Sequence, residues 1–284
     1  MTTYQRAKID GLEIFYREAG GKDAPAIVLL HGFPSSSHMF RDLIPLLADN
    51  FQVIAPDLIG FGFSAQPSAK EFSYTFDNLA EKIEKLLFAH LGLKKFAIYV
   101  QDYGAPLGYR IAARHPEAIT GIVVQNGNAY REGLSDAWQP IMAYWKVRNA
   151  QTEAPLREFI GAPTTRFQYE HGAADLTKIS PDAYTFDQMF IDRPGNDRIQ
   201  FDLLFDYQNN LPLYPEWQAY FRKHQPPMLI VWGKNDPFFT VEGAKAYLRD
   251  VPKAELHFLD TGHFALEEES EAIGRKIQQF FKAR

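Results

Sequence analysis

FAIYVQDYGAPLG, residues 96–108, decides the fold. Phe96 to Gln101 is a short continuous apolar run. A strand of that kind is covered on both faces, as in a parallel sheet packed between helices. Asp102 follows where the strand ends, Gly104 supplies the small neighbour that a sharp turn needs, and a helix is predicted from about Ala105, with Gly108 one turn in. A strand that turns sharply into a helix exposes the side chain at the turn above the sheet and aims the helix N-terminus at it.

The same rhythm extends in both directions. Ala26–His31 (AIVLLH), Phe51–Asp57 (FQVIAPD) and Ile119–Gln125 (ITGIVVQ) read as further buried strands, as do Met228–Trp232 and Ala254–Leu259. Between them, Phe76, Leu79, Ile83, Leu86, Leu87 and Leu91 recur at helical spacing, with Asp77, Glu81, Glu84 and Lys85 on the other face and Gly92 placed to end the helix. Ile273–Phe281 reads as a closing helix. Alternating β and α elements predict a doubly wound α/β sheet with right-handed crossovers. From residue 129 to 217 the rhythm breaks: helix-compatible pieces are interrupted by Pro140, Pro155, Pro163, Pro181, Pro194, Pro212 and Pro215, with no long β run. The expected organisation is therefore a core of residues 1–128 and 218–284 with a mostly helical insertion at 129–217.

Composition narrows the function. The chain has 284 residues, with 30 basic against 35 acidic side chains and a net charge of −5. That mild acidity argues against nucleic acid as a partner, and the lack of a polybasic run argues against an anionic membrane surface. With no cysteine at all, disulfides, thiolate catalysis and Cys-ligated zinc are excluded, and neither a metal nor a cofactor is expected. There is no secretory h-region and no long apolar span, so the expectation is a cytoplasmic protein, monomeric or homodimeric. Aromatics are in excess, with 23 Phe, 14 Tyr and 4 Trp. Many fall between Tyr130 and Phe221, which suits either a packed core or a pocket for a small apolar substrate.

Four loops, each just after a predicted strand, carry unusual residues: His31-Gly32-Phe33-Pro34, Gln101-Asp102-Tyr103-Gly104, Gly233-Lys234-Asn235-Asp236-Pro237 and Thr261-Gly262-His263-Phe264. Ligands of open α/β sheets bind at the carboxyl ends of strands, so all four point at one site. Taken singly, Asp102 also reads as a helix N-cap, and Asp236 and His263 also read as turn residues. Together they stand in the order nucleophile, acid, base. Asp102 is ionised at neutral pH and needs no base for attack. His263 would activate water, and Asp236 would fix its tautomer.

At these residues the sequence resembles the α/β-hydrolase superfamily over essentially its whole length. Within it, the resemblance is to the branch with an aspartate nucleophile: epoxide hydrolases, haloalkane dehalogenases and fluoroacetate dehalogenases. It implies an α/β-hydrolase fold, a mostly parallel sheet flanked by helices, with a helical cap inserted after the sixth strand. The His31-Gly32-Phe33-Pro34 loop implies an oxyanion hole from the Phe33 and Tyr103 amides, with His31 and Pro34 at the substrate pocket. Val100 stands two before Asp102, where the serine version of this elbow has glycine. Gln125-Asn126-Gly127-Asn128-Ala129-Tyr130 and Asp206-Tyr207-Gln208-Asn209-Asn210 are shared with microbial epoxide-hydrolase-like proteins. An epoxide hydrolase of this branch protonates the ring oxygen with two cap tyrosines. Tyr207 falls where the late one belongs and Tyr144 near the early one, with Tyr130 and Tyr214 as alternatives. A haloalkane dehalogenase instead needs N–H donors for the halide. Tyr103 and Phe33 occupy the usual positions without one, leaving Trp145 as a pocket donor. Tyr103 stands where fluoroacetate dehalogenases place arginine, and only Asp102 occupies the elbow, which excludes a serine esterase. The expected function is epoxide opening, with haloalkane dehalogenation and a non-catalytic hydrolase-fold binding protein as alternatives.

Overall fold

The computed structural model describes residues 1–283. Eight strands form one sheet: β1 (Thr3–Ile9), β2 (Leu12–Ala19), β3 (Ala26–Leu30), β4 (Gln52–Pro56), β5 (Phe96–Gln101), β6 (Ile119–Gln125), β7 (Met228–Gly233) and β8 (Glu255–Leu259), in the order β1-β2-β4-β3-β5-β6-β7-β8. From β4 onward along this order the pairs are parallel; β1–β2 and β2–β4 are antiparallel. The six strands read from sequence are all present. β1 and β2 were not read from sequence, because the edge strand β1 and its neighbour β2 carry charged residues and lack a long continuous apolar run. Their signal lies in the turn: Asp10 and Gly11 both have positive φ, 48° and 86°, which Asp-Gly is suited to supply in a two-residue hairpin.

The strand pleat sorts the core into two faces. Phe96, Ile98 and Val100 of β5 join one cluster, and Ala97 and Tyr99 join the other. The second face is covered by α1 (Leu43–Leu47) through Leu43, Ile44 and Leu47, and by the C-terminal α11 (Leu266–Lys282) through Ile273, Ile277 and Phe280. The first face takes α2 (Phe76–Glu84) and α3 (Gly104–Arg114). Thr75 caps α2 by accepting the Asn78 amide at 3.2 Å. The helix then widens into a π turn over Lys85–His90 and ends ahead of Gly92 at φ +68°, as the sequence expected.

Between β6 and β7 the chain is helical: α4 (Gln139–Lys146), α5 (Ala150–Phe159), α6 (Ala162–Glu170), α7 (Pro181–Ile191), α8 (Asn196–Asp206) and α9 (Tyr214–His224). α10 (Val241–Asp250) follows β7. The prolines read as interruptions mostly begin helices: Pro140, Pro163, Pro181 and Pro215 sit in the first turns of α4, α6, α7 and α9. Proline is favoured there because its missing N–H has no intrahelical partner to lose. The expected boundary at residue 217 falls inside α9, whose Trp217 and Phe221 pack on Tyr109 of α3. By its packing, α9 therefore lies with the sheet-covering helices.

Candidate active site

Asp102 stands between β5 and α3 with φ +47°, a conformation that costs energy in a non-glycine residue. It is not the N-cap of α3; Tyr103 holds that place. The turn lifts the carboxylate toward the His31-Gly32-Phe33-Pro34 loop, where the Phe33 amide donates to Asp102 Oδ1 at 2.7 Å. The Tyr103 amide also bonds the carboxylate. The two amides expected to form an oxyanion hole thus meet on Asp102 itself. Gly32 makes the approach feasible, since a Cβ there would lie 2.3 Å from Asp102 Oδ1. Burial pushes the Asp102 carboxyl up to about 6, against the opposing pull of His263 and the two amides.

His263 lies in the loop after β8, its side chain 1% exposed. Its Nδ1 meets Asp236 Oδ2 at 2.8 Å. The Asp236 carboxylate is fully buried and also accepts the Phe238 amide at 2.7 Å and Asn126 Nδ2 at 2.8 Å. Burial works against the charged imidazole, but the Asp236 and Asp102 carboxylates prevail and hold its pKa above the ordinary value. On the other ring nitrogen, Gln101 Nε2 donates to His263 Nε2 at 2.8 Å. Asn126, at φ +43° just past β6, further ties Asp236 to β7 through Gly233. Neither Gln101 nor Asn126 was singled out from sequence as part of the site; their signal was position, at or just past the ends of adjacent strands.

A small cavity of about 20 Å³ joins these groups. Phe33, Trp138, Ile141, Phe159, Leu204 and Phe238 form its apolar wall; Asp102, Tyr103, Gln168 and His263 supply polar atoms. This is room for about one water molecule.

The remaining expected site residues fall outside this lining. Tyr207 is buried, its ring 4.4 Å from Trp138 and 6.0 Å from Tyr103, with its hydroxyl bonded to Tyr214. Burial first, and the Tyr214 and Asp102 charges after it, hold its phenol well above the usual range. Tyr144 turns away: its hydroxyl accepts from Arg148 Nε at 2.6 Å. Tyr130 donates to Asp250 at 2.7 Å, and the Tyr214 hydroxyl accepts Asn128 Nδ2 at 3.1 Å. Trp145, expected in the pocket, spends its indole N–H on Leu204 O at 2.7 Å. His31 is a strut: its Nε2 accepts the Leu58 amide at 3.0 Å and its Nδ1 faces Gly32 O. Pro34 shapes the loop through a cis peptide bond after Phe33. Missed in the sequence were Trp138, whose indole donates to Phe238 O at 3.1 Å, and Gln168, whose Nε2 has no partner among the described residues. The Tyr103 hydroxyl is likewise buried and unpaired.

A buried carboxylate at a strand–helix elbow thus shares one cavity with a histidine backed by a second carboxylate, an arrangement suited to a hydrolase of the α/β class. The match to the alpha/beta hydrolase fold family model covers residues 25–270, and the chain belongs to that family. It is 47% identical over 276 residues to an uncharacterized hydrolase of Saccharomyces cerevisiae, covering 96% of this chain and 94% of that protein. Among solved structures it is similar to a haloalkane dehalogenase from Bradyrhizobium elkani (TM-score 0.81, 22% identity, 100% of both chains). It is also similar to an epoxide hydrolase (TM-score 0.79, 21% identity, 100% of this chain and 99% of that one). Among the described residues no helix is long and apolar enough to cross a membrane.

Proposed function

We propose that this hydrolase opens small epoxides to vicinal diols. Asp102 attacks a ring carbon, the carbon–oxygen bond breaks, and a phenol gives its proton to the departing ring oxygen. His263 then takes a proton from water, the hydroxide adds to the ester carbonyl of Asp102, the alkyl oxygen leaves as the diol with the proton from His263, and the proton left on the Asp102 carboxyl returns to the phenolate. Asp236 holds the imidazolium. The Phe33 and Tyr103 amides receive the oxyanion of the tetrahedral intermediate.

The observation that carries the epoxide reading is the chemistry of the donors around Asp102. The indole N–H groups of Trp138 and Trp145 are both spent on main-chain carbonyls, while the Tyr103 phenol on the cavity wall is unpaired. Tyr207 packs beside it. Burial keeps both phenols protonated, as an acid for a nascent alkoxide must be. The Tyr103 phenol thus takes the role that the sequence assigned to Tyr144 and Tyr207, while the Tyr207 hydroxyl is held by Tyr214. Carbon–halogen cleavage is the second reading, favoured by the free amide of Gln168.

The test is a single turnover of a terminal epoxide in heavy-oxygen water. The label should enter Asp102 and be absent from the first diol, because water attacks the ester carbonyl. His263→Gln should accumulate the alkyl-enzyme, seen as a mass increase on the intact protein. Tyr103→Phe should slow ring opening by tenfold or more, within the ~10²–10⁴ range of general acid catalysis. Label found only in the product would refute the covalent scheme.

A further inference from the structure

Of the polar side chains on the cavity wall, the Gln168 amide has no part in the reaction scheme above. It projects from α6, is 2% exposed, and its Nε2 is buried with no hydrogen-bond partner. Buried amide N–H groups are almost always paired, because leaving one unpaired costs its hydration. An unpaired one on the wall of a binding cavity is a place for a ligand atom.

The turn of α6 that carries Gln168 is anchored apart from the Tyr103 ring. Its neighbour Tyr169 stacks face to face on Phe264, with ring centroids 3.9 Å apart, so this turn of α6 lies against the residue after His263. The phenols are grouped elsewhere. The Tyr103 ring contacts Phe33, Phe61, Phe76 and Tyr207, whereas the His263 ring contacts Phe238, Phe239 and Phe264. The two groups share no ring. Asp102 therefore shares the cavity with the Tyr103 phenol, which serves the ring oxygen, and with an amide donor that has nothing to hold.

We infer that Gln168 Nε2 recognises a second oxygen of the substrate, so that the preferred epoxides carry an ether, hydroxyl or carbonyl oxygen on the side chain next to the ring. This rests on the epoxide reading above and narrows its substrate class. A hydrocarbon chain in the same place would fill the apolar wall but leave the amide unsatisfied. A site built to hydrogen-bond an oxygen rejects the analogue that lacks it.

The experiment compares methyl glycidyl ether with 1,2-epoxypentane, which differ by one oxygen in place of one methylene. The wild-type protein should favour the ether in kcat/KM by about tenfold or more, the scale of one hydrogen bond together with the penalty of its loss. Gln168→Leu and Gln168→Met should erase the preference, mainly by slowing the ether. A ratio of two substrates is unaffected by a smaller folded fraction. A wild-type ratio near one, or a preference that survives both variants, overturns the assignment. So does equal loss on both epoxides, which would place the amide on the leaving atom or the hydrolytic water. If neither epoxide is opened, the epoxide reading fails, and 1-bromo-2-methoxyethane against 1-bromobutane puts the same question to Gln168 in carbon–halogen cleavage. An ether preference lost in the variants would then retain the amide's role, and turnover of neither pair overturns both.

Discussion

In the proposed scheme His263 must be neutral to take a proton from water, yet Asp236 and Asp102 both hold a proton on it. Two features offset this. Ester formation neutralises Asp102, which removes one of the charges that raise the His263 pKa at the step where the base is needed. The second is Gln101, whose Nε2–H donates to His263 Nε2 at 2.8 Å. With Nδ1–H directed at Asp236, Nε2 is the acceptor, and a donor placed there favours the neutral ring. Gln101→Leu should therefore raise the His263 pKa and move the acid limb of the kcat–pH profile to higher pH, with activity at high pH less affected. A limb that stays in place while activity falls equally at all pH values would reduce Gln101 to packing. The same contact requires the amide to yield Nε2 to the hydrolytic water. Asp102, Asp236 and His263 were legible in the sequence because each follows a strand and their chain order is informative. Gln101 and Gln168 were not, because one glutamine on a strand and one on a helix carry no signal until the fold brings them to a cavity.

At the scale of elements, the strand–helix elbow departs from the serine pattern at Val100, and the structure shows how the bulk is accommodated. A Cβ on Gly108 would lie 2.5 Å from Val100 Cγ1. The glycine one turn into α3 thus makes room for the valine at the end of β5. Gly108→Ala is expected to destabilise the protein by about 1–3 kcal/mol through overpacking, and Val100→Ala in the same molecule should recover much of that loss. The coupling is read as a double-mutant cycle in urea; additive losses would mean that the two residues do not share this space. Parallel strands and α2 were readable because period and continuity report burial. The hairpin of β1 and β2 was obscure because charged residues interrupt the apolar positions of both strands. The helices from α4 to α8 were read only as fragments, because prolines that start helices look like breaks without the neighbouring backbone.

At the scale of the whole molecule, the protein carries a charged group that it would be more stable without. In the unfolded chain an aspartate titrates near 4, whereas in the folded protein burial raises Asp102 to about 6. Between these values the native state binds more protons than the unfolded state, so stability falls as pH rises through that window. The protonated form contributes its full stability below about 4, and that contribution is lost above about 6. The difference is on the order of 2–3 kcal/mol once Asp102 is ionised. Asp102→Asn keeps the shape and never takes the charge. It should melt higher than the wild type at pH 8, by several degrees for a chain of this size, while forming no ester. Near pH 4 most of that gap should have closed, because the wild-type side chain is then protonated in the folded state and about half protonated in the unfolded one. Thermal melts of both proteins across pH 4–8 check this. A variant no more stable at pH 8 than the wild type, or a gap that does not narrow on acidification, would mean that the Phe33 and Tyr103 amides compensate for burial more completely than the raised pKa implies.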